Sequence, residues 1–213
     1  MINMLPQFAA LPNVVVDVSH HNGRINFNAL KAAGIRGVIQ KATQGQQMTD
    51  PTYDENKTNA LDAGLLWGAY HFGTGSDGVR QSEHFLNVVG DATKTILVLD
   101  FEANPAGPSM TLEEARSFVV HVKEKIGRFP GFYSGHDIKQ QLGTNHDPIL
   151  SQCWFWLAQY GSTPVIPANW AKFTFWQYTD GAVGPPPHAV GGVRFDRDIF
   201  NGTEAELEAF WGT

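Results

Sequence analysis

The feature that most constrains the fold of this 213-residue chain is a repeated alternation of short β-rich runs with helical segments. Runs rich in β-branched and aromatic residues predict strands at 14–18, 37–42, 66–72, 96–101, 131–134, 154–159, 173–178 and 193–199. Several of these runs are almost continuously apolar, which is typical of strands covered on both faces.

Helix signals lie between many of the predicted strands. Helices are predicted over 28–33, 51–63, 77–89, 111–126 and 204–210, and a glycine follows each of the first four. Asp50 is the predicted N-cap before Pro51, and Thr111 and Glu114 have the spacing of a capping box.

About eight strands with intervening helices predict an α/β fold, an irregular TIM-like β/α barrel. The segments 161–171 and 181–192 read as loops rather than helices, so we expect a distorted barrel with some antiparallel strands near the end. In such barrels the active site lies at the C-terminal ends of the strands.

Composition excludes several classes of function. The net charge is −6 and no run of Lys or Arg tracks a phosphate backbone, so nucleic acid is not an expected partner. No stretch approaches the ~18 apolar residues of a membrane span, and the N-terminus has no export signal, which predicts synthesis in the cytoplasm. The single cysteine, Cys153, lies in an apolar run and is predicted to be a buried, inert thiol.

Acidic residues occur on three of the predicted strands. Asp17 follows Val-Val-Val, Asp100 and Glu102 follow Ile-Leu-Val-Leu, and Asp196 lies in the last run. Closure of a barrel would make the first and last strands neighbours and bring Asp17 to Asp196. Residues two apart on a strand share a face, roughly 6.6 Å apart along the strand. Two carboxylates facing one cavity repel, so one keeps its proton, as glycoside hydrolysis requires.

A lone Asp-x-Glu motif is more often an ion pair followed by a loop than a catalytic site. The two further acids on converging strands make a site the better interpretation.

An ordered set of motifs supports this interpretation. They are Asp17-Val-Ser-His-His-Asn-Gly, Gln-Lys41-Ala-Thr-Gln-Gly45, Gly68-Ala-Tyr70-His-Phe72, Asp100-Phe-Glu102, Phe132-Tyr133-Ser, Trp156-Leu-Ala-Gln-Tyr160, Trp176-Gln177-Tyr-Thr and Phe195-Asp196-Arg-Asp-Ile-Phe. Over residues 13–200 the set resembles the glycoside hydrolase family 25 lysozymes.

The resemblance implies an N-acetylmuramidase that cleaves the β-1,4 bond between N-acetylmuramic acid and N-acetylglucosamine in peptidoglycan, with retention and without a metal or cofactor. It implies that Glu102 is the general acid. Asp100 would orient the substrate acetamido group or stabilise positive charge, and Asp17 and Asp196 would complete the catalytic set. The implied substrate-binding residues are Tyr70, Phe72, Tyr133, Trp156, Tyr160 and Gln177, although core packing is an equal interpretation for Trp156 and Tyr160.

The length of the chain predicts one catalytic domain over 1–213, with an N-terminal extension (1–12), the barrel (13–200) and a C-terminal helix (201–213). A monomer that acts on peptidoglycan glycan strands at the cell wall is expected. Release by a phage holin or transfer by a secretion system would fit the absence of an export signal.

Two positions depart from the family pattern: Asp198 stands where Asn is frequent, and Asn26 where Asp is frequent. If Asp198 faces inward, the pKa of the acid and the pH optimum are expected to lie higher than usual.

Three other interpretations remain at this point. His20-His21 suggest a metal site, but adjacent strand residues point to opposite faces and the chain lacks ligand spacing. A non-catalytic glycan-binding barrel and a chitinase-like hydrolase are the alternatives in function.

Asp180 is predicted to be a turn residue.

Overall fold

The computed structural model describes residues 5–212. The strands are β1 (Val15–Val18), β2 (Gly37–Gln44), β3 (Met48–Thr49), β4 (Leu66–Phe72), β5 (Thr95–Asp100), β6 (Gly131–Ser134), β7 (Phe155–Ala158), β8 (Phe175–Thr179), β9 (Ala189–Val190), β10 (Val193–Arg194) and β11 (Asp196–Phe200). Eight of them close a ring in the order β1-β2-β4-β5-β6-β7-β8-β11. The predicted β/α barrel is confirmed.

The ring is parallel except at one strand. Strand β11 runs antiparallel to both of its neighbours, β8 and β1. The expected antiparallel irregularity near the end of the chain is therefore present. The single strand predicted over 193–199 is wrong in one respect, because the strand is interrupted at Phe195. Its first two residues form β10, which pairs with β9 in a separate hairpin.

The helices are α1 (Pro6–Ala9), α2 (Phe27–Ala32), α3 (Tyr53–Asp62), α4 (Gly78–Val89), α5 (Leu112–Ile126), α6 (His136–Leu142) and α7 (Glu204–Trp211). The capping box of α5 is confirmed: the Thr111 side chain accepts a hydrogen bond from Glu114 N, and Glu114 accepts one from Thr111 N. The predicted Asp50 cap is wrong, because α3 begins at Tyr53 after Thr52. Asp50 instead accepts hydrogen bonds from Thr52 and His20. Helices α1 and α6 were not predicted.

Two apolar layers hold the barrel together. The larger packs the outer faces of the strands against the helices. The smaller fills the barrel interior and includes Val15, Ile39, Val98 and Phe175. Helix α7 closes the floor of the barrel, where the Trp211 indole N–H donates to Trp67 O at 2.7 Å. The opposite end of the barrel, at the C-terminal ends of the parallel strands, is left for a site.

Cys153 is 2% exposed, and burial raises the pKa of its thiol, so the prediction of a buried cysteine is confirmed. Between residues 5 and 212, no helix combines the length and the apolar character needed to cross a membrane.

Candidate active site

The alternation of side chains along each strand delivers acids to the barrel mouth. On β5, Val98 belongs to the interior layer, so Asp100, two residues further along, points into the same space at the top. On β11 the order is reversed because the strand runs the other way. Phe200 lies in the interior layer, and Asp198 and Asp196 follow towards the mouth. An antiparallel strand therefore contributes its acids from its beginning, not from its end.

A cavity of about 150 Å³ opens at this mouth. It is lined by Asp17, Tyr70, Asp100, Glu102, Tyr133, Trp156, Tyr160, Gln177 and Asp196. All four acids predicted to be catalytic are thus brought together with five of the six predicted binding residues. Phe72 does not line the cavity; its ring lies 4.9 Å from Lys41 Nζ. A larger groove of about 1060 Å³ between α2 and α3 contains none of the predicted site residues.

Gln177 ties the acids of the first and last strands together. Asp17 and Asp196 are directly opposed in the β1–β11 register, as barrel closure predicted. Gln177 Nε2 donates to Asp17 Oδ2 at 2.8 Å and to Asp196 Oδ2 at 3.4 Å. Tyr133 donates from its hydroxyl to Gln177 Oε1 at 2.8 Å. Directly opposed like charges destabilise a sheet, so this amide offsets part of the repulsion.

Asp196 is a weaker acid in this site than an exposed aspartate is. Burial, and then the nearby Asp180 carboxylate, raise the pKa of Asp196 to about 6. Asp180 itself accepts hydrogen bonds from the backbone N–H groups of Ala182 and Val183, which confirms it as a turn residue. Its negative charge still acts on the site.

Asp198 faces inward and is completely buried. Its Oδ1 accepts a hydrogen bond from the Trp156 indole N–H at 2.7 Å. Burial raises the pKa of Asp198 well above its ordinary value. Burial and then the charges of Asp196 and Asp198 do the same to the pKa of Asp17. Asp198 therefore acts on Asp17, whereas other carboxylates act on the predicted acid, Glu102.

We expect Asp198→Asn to stabilise the fold at pH 8 and to change it little at pH 4. A carboxyl whose pKa is raised by folding lowers the stability of the fold as the pH rises. The loss builds up between the pKa of the carboxyl in the unfolded chain, near 3.9, and its higher pKa in the native state. Asparagine keeps the acceptor for Trp156 and cannot ionise. Urea unfolding at pH 4, 6 and 8 should show a gain of about 1–3 kcal/mol that grows with pH, since one pKa unit corresponds to about 1.4 kcal/mol. A gain equal at all three pH values, or a loss at pH 8, would contradict this explanation; Asp62→Asn, at an exposed site, is the control.

Lys41 supplies a positive charge next to Asp100. It is held on β2 and donates to Gln44 Oε1 at 2.7 Å. Burial and the charge of Glu102 raise the pKa of Asp100, and the Lys41 ammonium opposes that rise. One Asp100 oxygen, Oδ1, is buried and has no hydrogen-bond partner among residues 5–212.

Glu102 lies just beyond the end of β5 and is partly buried. Burial first, then the carboxylates of Asp137 and Asp196, raise its pKa to about 7. Glu102 therefore retains its proton over the mildly acidic range. The site thus holds the protonated acid that glycoside hydrolysis requires.

His20 and His21 do not lie on a strand, so the geometric argument used against a shared ion was wrong. They form a 3₁₀ turn over His20–Asn22, and their rings stack with centroids 3.9 Å apart. His20 Nδ1 lies 2.7 Å from Asp50 Oδ2, so the ring is engaged by a carboxylate. Burial alone would raise the pKa of Asp50, but hydrogen bonds from His20 and Thr52 lower it. In the described part of the chain, no group of three or more His, Cys, Asp or Glu is arranged to hold a metal.

Comparison with known proteins agrees with this geometry. Residues 16–185 match the family model described as glycosyl hydrolases family 25. The chain belongs to that family. This family 25 chain is 33% identical over 210 residues to lysozyme M1 of Streptomyces globisporus, covering 91% of this chain and 69% of that protein. The crystal structure of a bacterial lysozyme from Streptomyces coelicolor superposes with a TM-score of 0.80 at 31% identity, covering 92% and 95% of the two chains.

A phage protein is also among the relatives. The lysozyme of Streptococcus phage Cp-1 is 26% identical over 175 residues, which is 78% of this chain and 51% of that protein. The resemblance seen in the sequence motifs is confirmed, and this family 25 chain is a glycoside hydrolase.

Two residues close to the acids were not predicted as part of the site. Lys41 stands within a quoted motif, but no sequence signal indicated that its ammonium lies near Asp100. Asp137 follows β6 by three residues, and the argument from acids at strand ends could have found it. It was missed because the short helix α6 has no N-cap side chain or clear periodicity to mark it.

Proposed function

We propose that this enzyme is a lysozyme of the N-acetylmuramidase type. It hydrolyses the β-1,4 bond between N-acetylmuramic acid and N-acetylglucosamine in bacterial peptidoglycan. The observation that carries the proposal is a partly buried Glu102, with its pKa raised to about 7, beside Asp100 in the barrel mouth of a family 25 hydrolase.

Glu102 is the proposed general acid. Of the two adjacent carboxyls, Asp100 has the Lys41 ammonium nearby, whereas Glu102 faces the negative charges of Asp137 and Asp196. Burial and the charge of Glu102 also raise the pKa of Asp100, so both carboxyls favour the protonated form. We assign the donated proton to Glu102 because its side chain is the more exposed of the two at the mouth. Glu102 would protonate the glycosidic oxygen as the bond to the anomeric carbon breaks.

Asp100 is the proposed partner on the sugar side. Asp100 lines the cavity, where a carboxylate oxygen can accept a hydrogen bond from an acetamido N–H. It would orient that group and stabilise positive charge at the anomeric carbon. Retention with help from the acetamido group is the mechanism we favour, and Asp17 and Asp196 would support it through the Gln177 network.

The aromatic residues differ in what they can offer to a sugar. Tyr160 is 43% exposed at the mouth and can stack on a sugar face. Trp156 is 2% exposed with its N–H engaged by Asp198, so it forms the wall behind Tyr133. Tyr70 and Tyr133 line the cavity beside the acids, which supports a role for them in contacting the substrate. Phe72 is proposed only to support the Lys41 side chain, and not to bind the substrate.

A comparison of the hydrolytic activity on chitin with that on purified peptidoglycan tests the proposed substrate. A muramidase should release soluble glycan from peptidoglycan and leave chitin intact. Equal or greater activity on chitin would favour the chitinase-like alternative. Binding of peptidoglycan without any release of glycan would favour the non-catalytic barrel.

The setting of the activity is a further proposal. We propose that the protein acts on the cell wall as a monomer with one catalytic domain, reaching it by holin-dependent release or through a secretion system. The phage lysozyme among its relatives supports the first route.

A further inference from the structure

Asp137 is a carboxylate near Glu102 that neither the sequence motifs nor the proposed catalytic set includes. It lies in the first turn of α6 and is partly exposed. Its Oδ2 accepts a hydrogen bond from Ala103 N at 3.2 Å. Ala103 directly follows Glu102, so Asp137 contacts the backbone that carries the proposed acid.

The segment that carries Glu102 is held to β6 and α6 on both sides of the acid. Before it, Phe101 N donates to Tyr133 O at 2.9 Å, and Ser134 Oγ donates to Phe101 O at 2.7 Å. After it, Ala103 N donates to Asp137. Glu102 therefore sits between two anchored residues, and the Asp137 carboxylate is kept beside it.

The position of Asp137 depends on Gly135. A Cβ at Gly135 would lie 2.2 Å from Ala158 O on β7. Only glycine lets the chain pass this close to β7 before turning into α6. The sequence thus brings a negative charge to Glu102 through a close backbone approach that other residues do not allow.

We propose that Asp137 is a positioning residue that keeps Glu102 in its proton-donating form, through its negative charge and its hydrogen bond to Ala103. This proposal rests on the proposed function of Glu102 as general acid.

Other charged and titratable groups also face Glu102. Asp100 comes from β5, Asp196 from β11, Tyr133 from β6, and Tyr160 from the segment after β7. The nearest lysine on the same helix, Lys139, donates to Gln159 Oε1 at 2.9 Å. Asp100, Asp196 and Tyr133 belong to the site itself. Asp137 is the carboxylate that can be changed without removing a group from the cavity lining.

The test compares Asp137→Asn with Asp137→Ala in the full chain. Asparagine keeps an oxygen acceptor for Ala103 N and removes the charge, whereas alanine removes both. Rates of peptidoglycan hydrolysis are measured from pH 4 to 9, with Asp62→Asn as the control for loss of one acidic charge at an exposed site. Thermal unfolding checks that each variant folds.

Removing a neighbouring negative charge lowers the pKa of Glu102. The alkaline limb of the pH–rate profile should therefore move to lower pH in Asp137→Asn, by about 0.3–1 unit, as expected for one partly screened charge. The plateau at low pH should stay within about twofold of the parent, and about 1 M salt should shrink the shift because salt screens an exposed charge. Asp137→Ala should show the same shift together with a lower plateau.

An alkaline limb that is unmoved in Asp137→Asn, in a parent whose activity depends on Glu102, would overturn the proposal. A shift in Asp137→Ala alone would also overturn it, because the negative charge of Asp137, which the proposal requires, would then have no effect on Glu102. If the parent hydrolyses no peptidoglycan, the proposed function fails. Carboxyl titration by NMR on ¹³C-glutamate protein, with Glu102→Gln to assign the signal, still decides whether Asp137→Asn lowers the pKa of Glu102.

Discussion

Glu102→Gln is expected to reduce the rate of peptidoglycan hydrolysis by about 10³-fold or more. Glutamine has nearly the same shape and cannot donate an acidic proton to the glycosidic oxygen, and general acid catalysis typically contributes 10²–10⁴-fold. The change should lower kcat with little effect on substrate binding, because Glu102 sits at the mouth and binding relies on the surrounding cavity wall. Release of soluble glycan under initial-rate conditions measures the effect.

The matched control for this variant is Glu124→Gln on the exposed face of α5. It makes the same chemical change away from the cavity and should keep the activity of the parent. Substantial turnover in Glu102→Gln, with Glu124→Gln unchanged, would mean that another group supplies the proton, and the assignment of the acid would be wrong.

Asp100→Asn is expected to lower the rate by about 10²-fold or more. The substitution removes the negative charge proposed to stabilise the anomeric carbon, and loss of one such stabilising group has an effect of this size. It also removes the larger of the two nearby negative charges that favour the buried Lys41 ammonium, and leaves only that of Asp50. The rate loss should appear in kcat.

Lys41 provides a second check on the same assignment. Lys41→Met removes the charge that favours ionised Asp100 while keeping an apolar chain over Phe72. The proton of the pair would then be shared more evenly, and we expect a slower reaction at mildly acidic pH.

Full activity in Asp100→Asn would contradict the role given to Asp100, and Asp62→Asn controls for the loss of an acidic charge.

Barrel closure is the part of the fold that the sequence predicted most usefully. Apolar runs alternating with helices placed all eight barrel strands, and closure alone put Asp17 opposite Asp196. The direction of the last strand could be predicted only loosely. An antiparallel strand and a parallel one can carry the same run of residues, and the loops that decide between them have no periodic pattern.

The electrostatics of the site were less accessible from sequence. That Asp198 would face inward was a conditional expectation, but its action on Asp17 rather than Glu102 depends on three-dimensional distances. Asp137 was missed because no cap or periodicity marks α6 in the sequence, and its contact with Ala103 joins residues 34 positions apart. Asp50 was predicted to cap helix α3, because Pro51 indicated that the helix begins there. The helix begins later, at Tyr53, and Asp50 instead accepts a hydrogen bond from His20 N.

The crowding of acids also has a consequence for stability. Asp17, Asp196 and Asp198 lie on two adjacent strands, and each has a raised pKa. Their ionisation opposes folding as the pH rises, so the site lowers the stability of the barrel at neutral pH. The apolar interior and the α7 floor offset this penalty.

Analysis of the reducing ends released from purified peptidoglycan tests the central claim most directly. The parent protein should generate new N-acetylmuramic acid reducing ends, and Glu102→Gln should generate none above background. New N-acetylglucosamine reducing ends, or muramic acid ends formed equally by Glu102→Gln, would contradict the account.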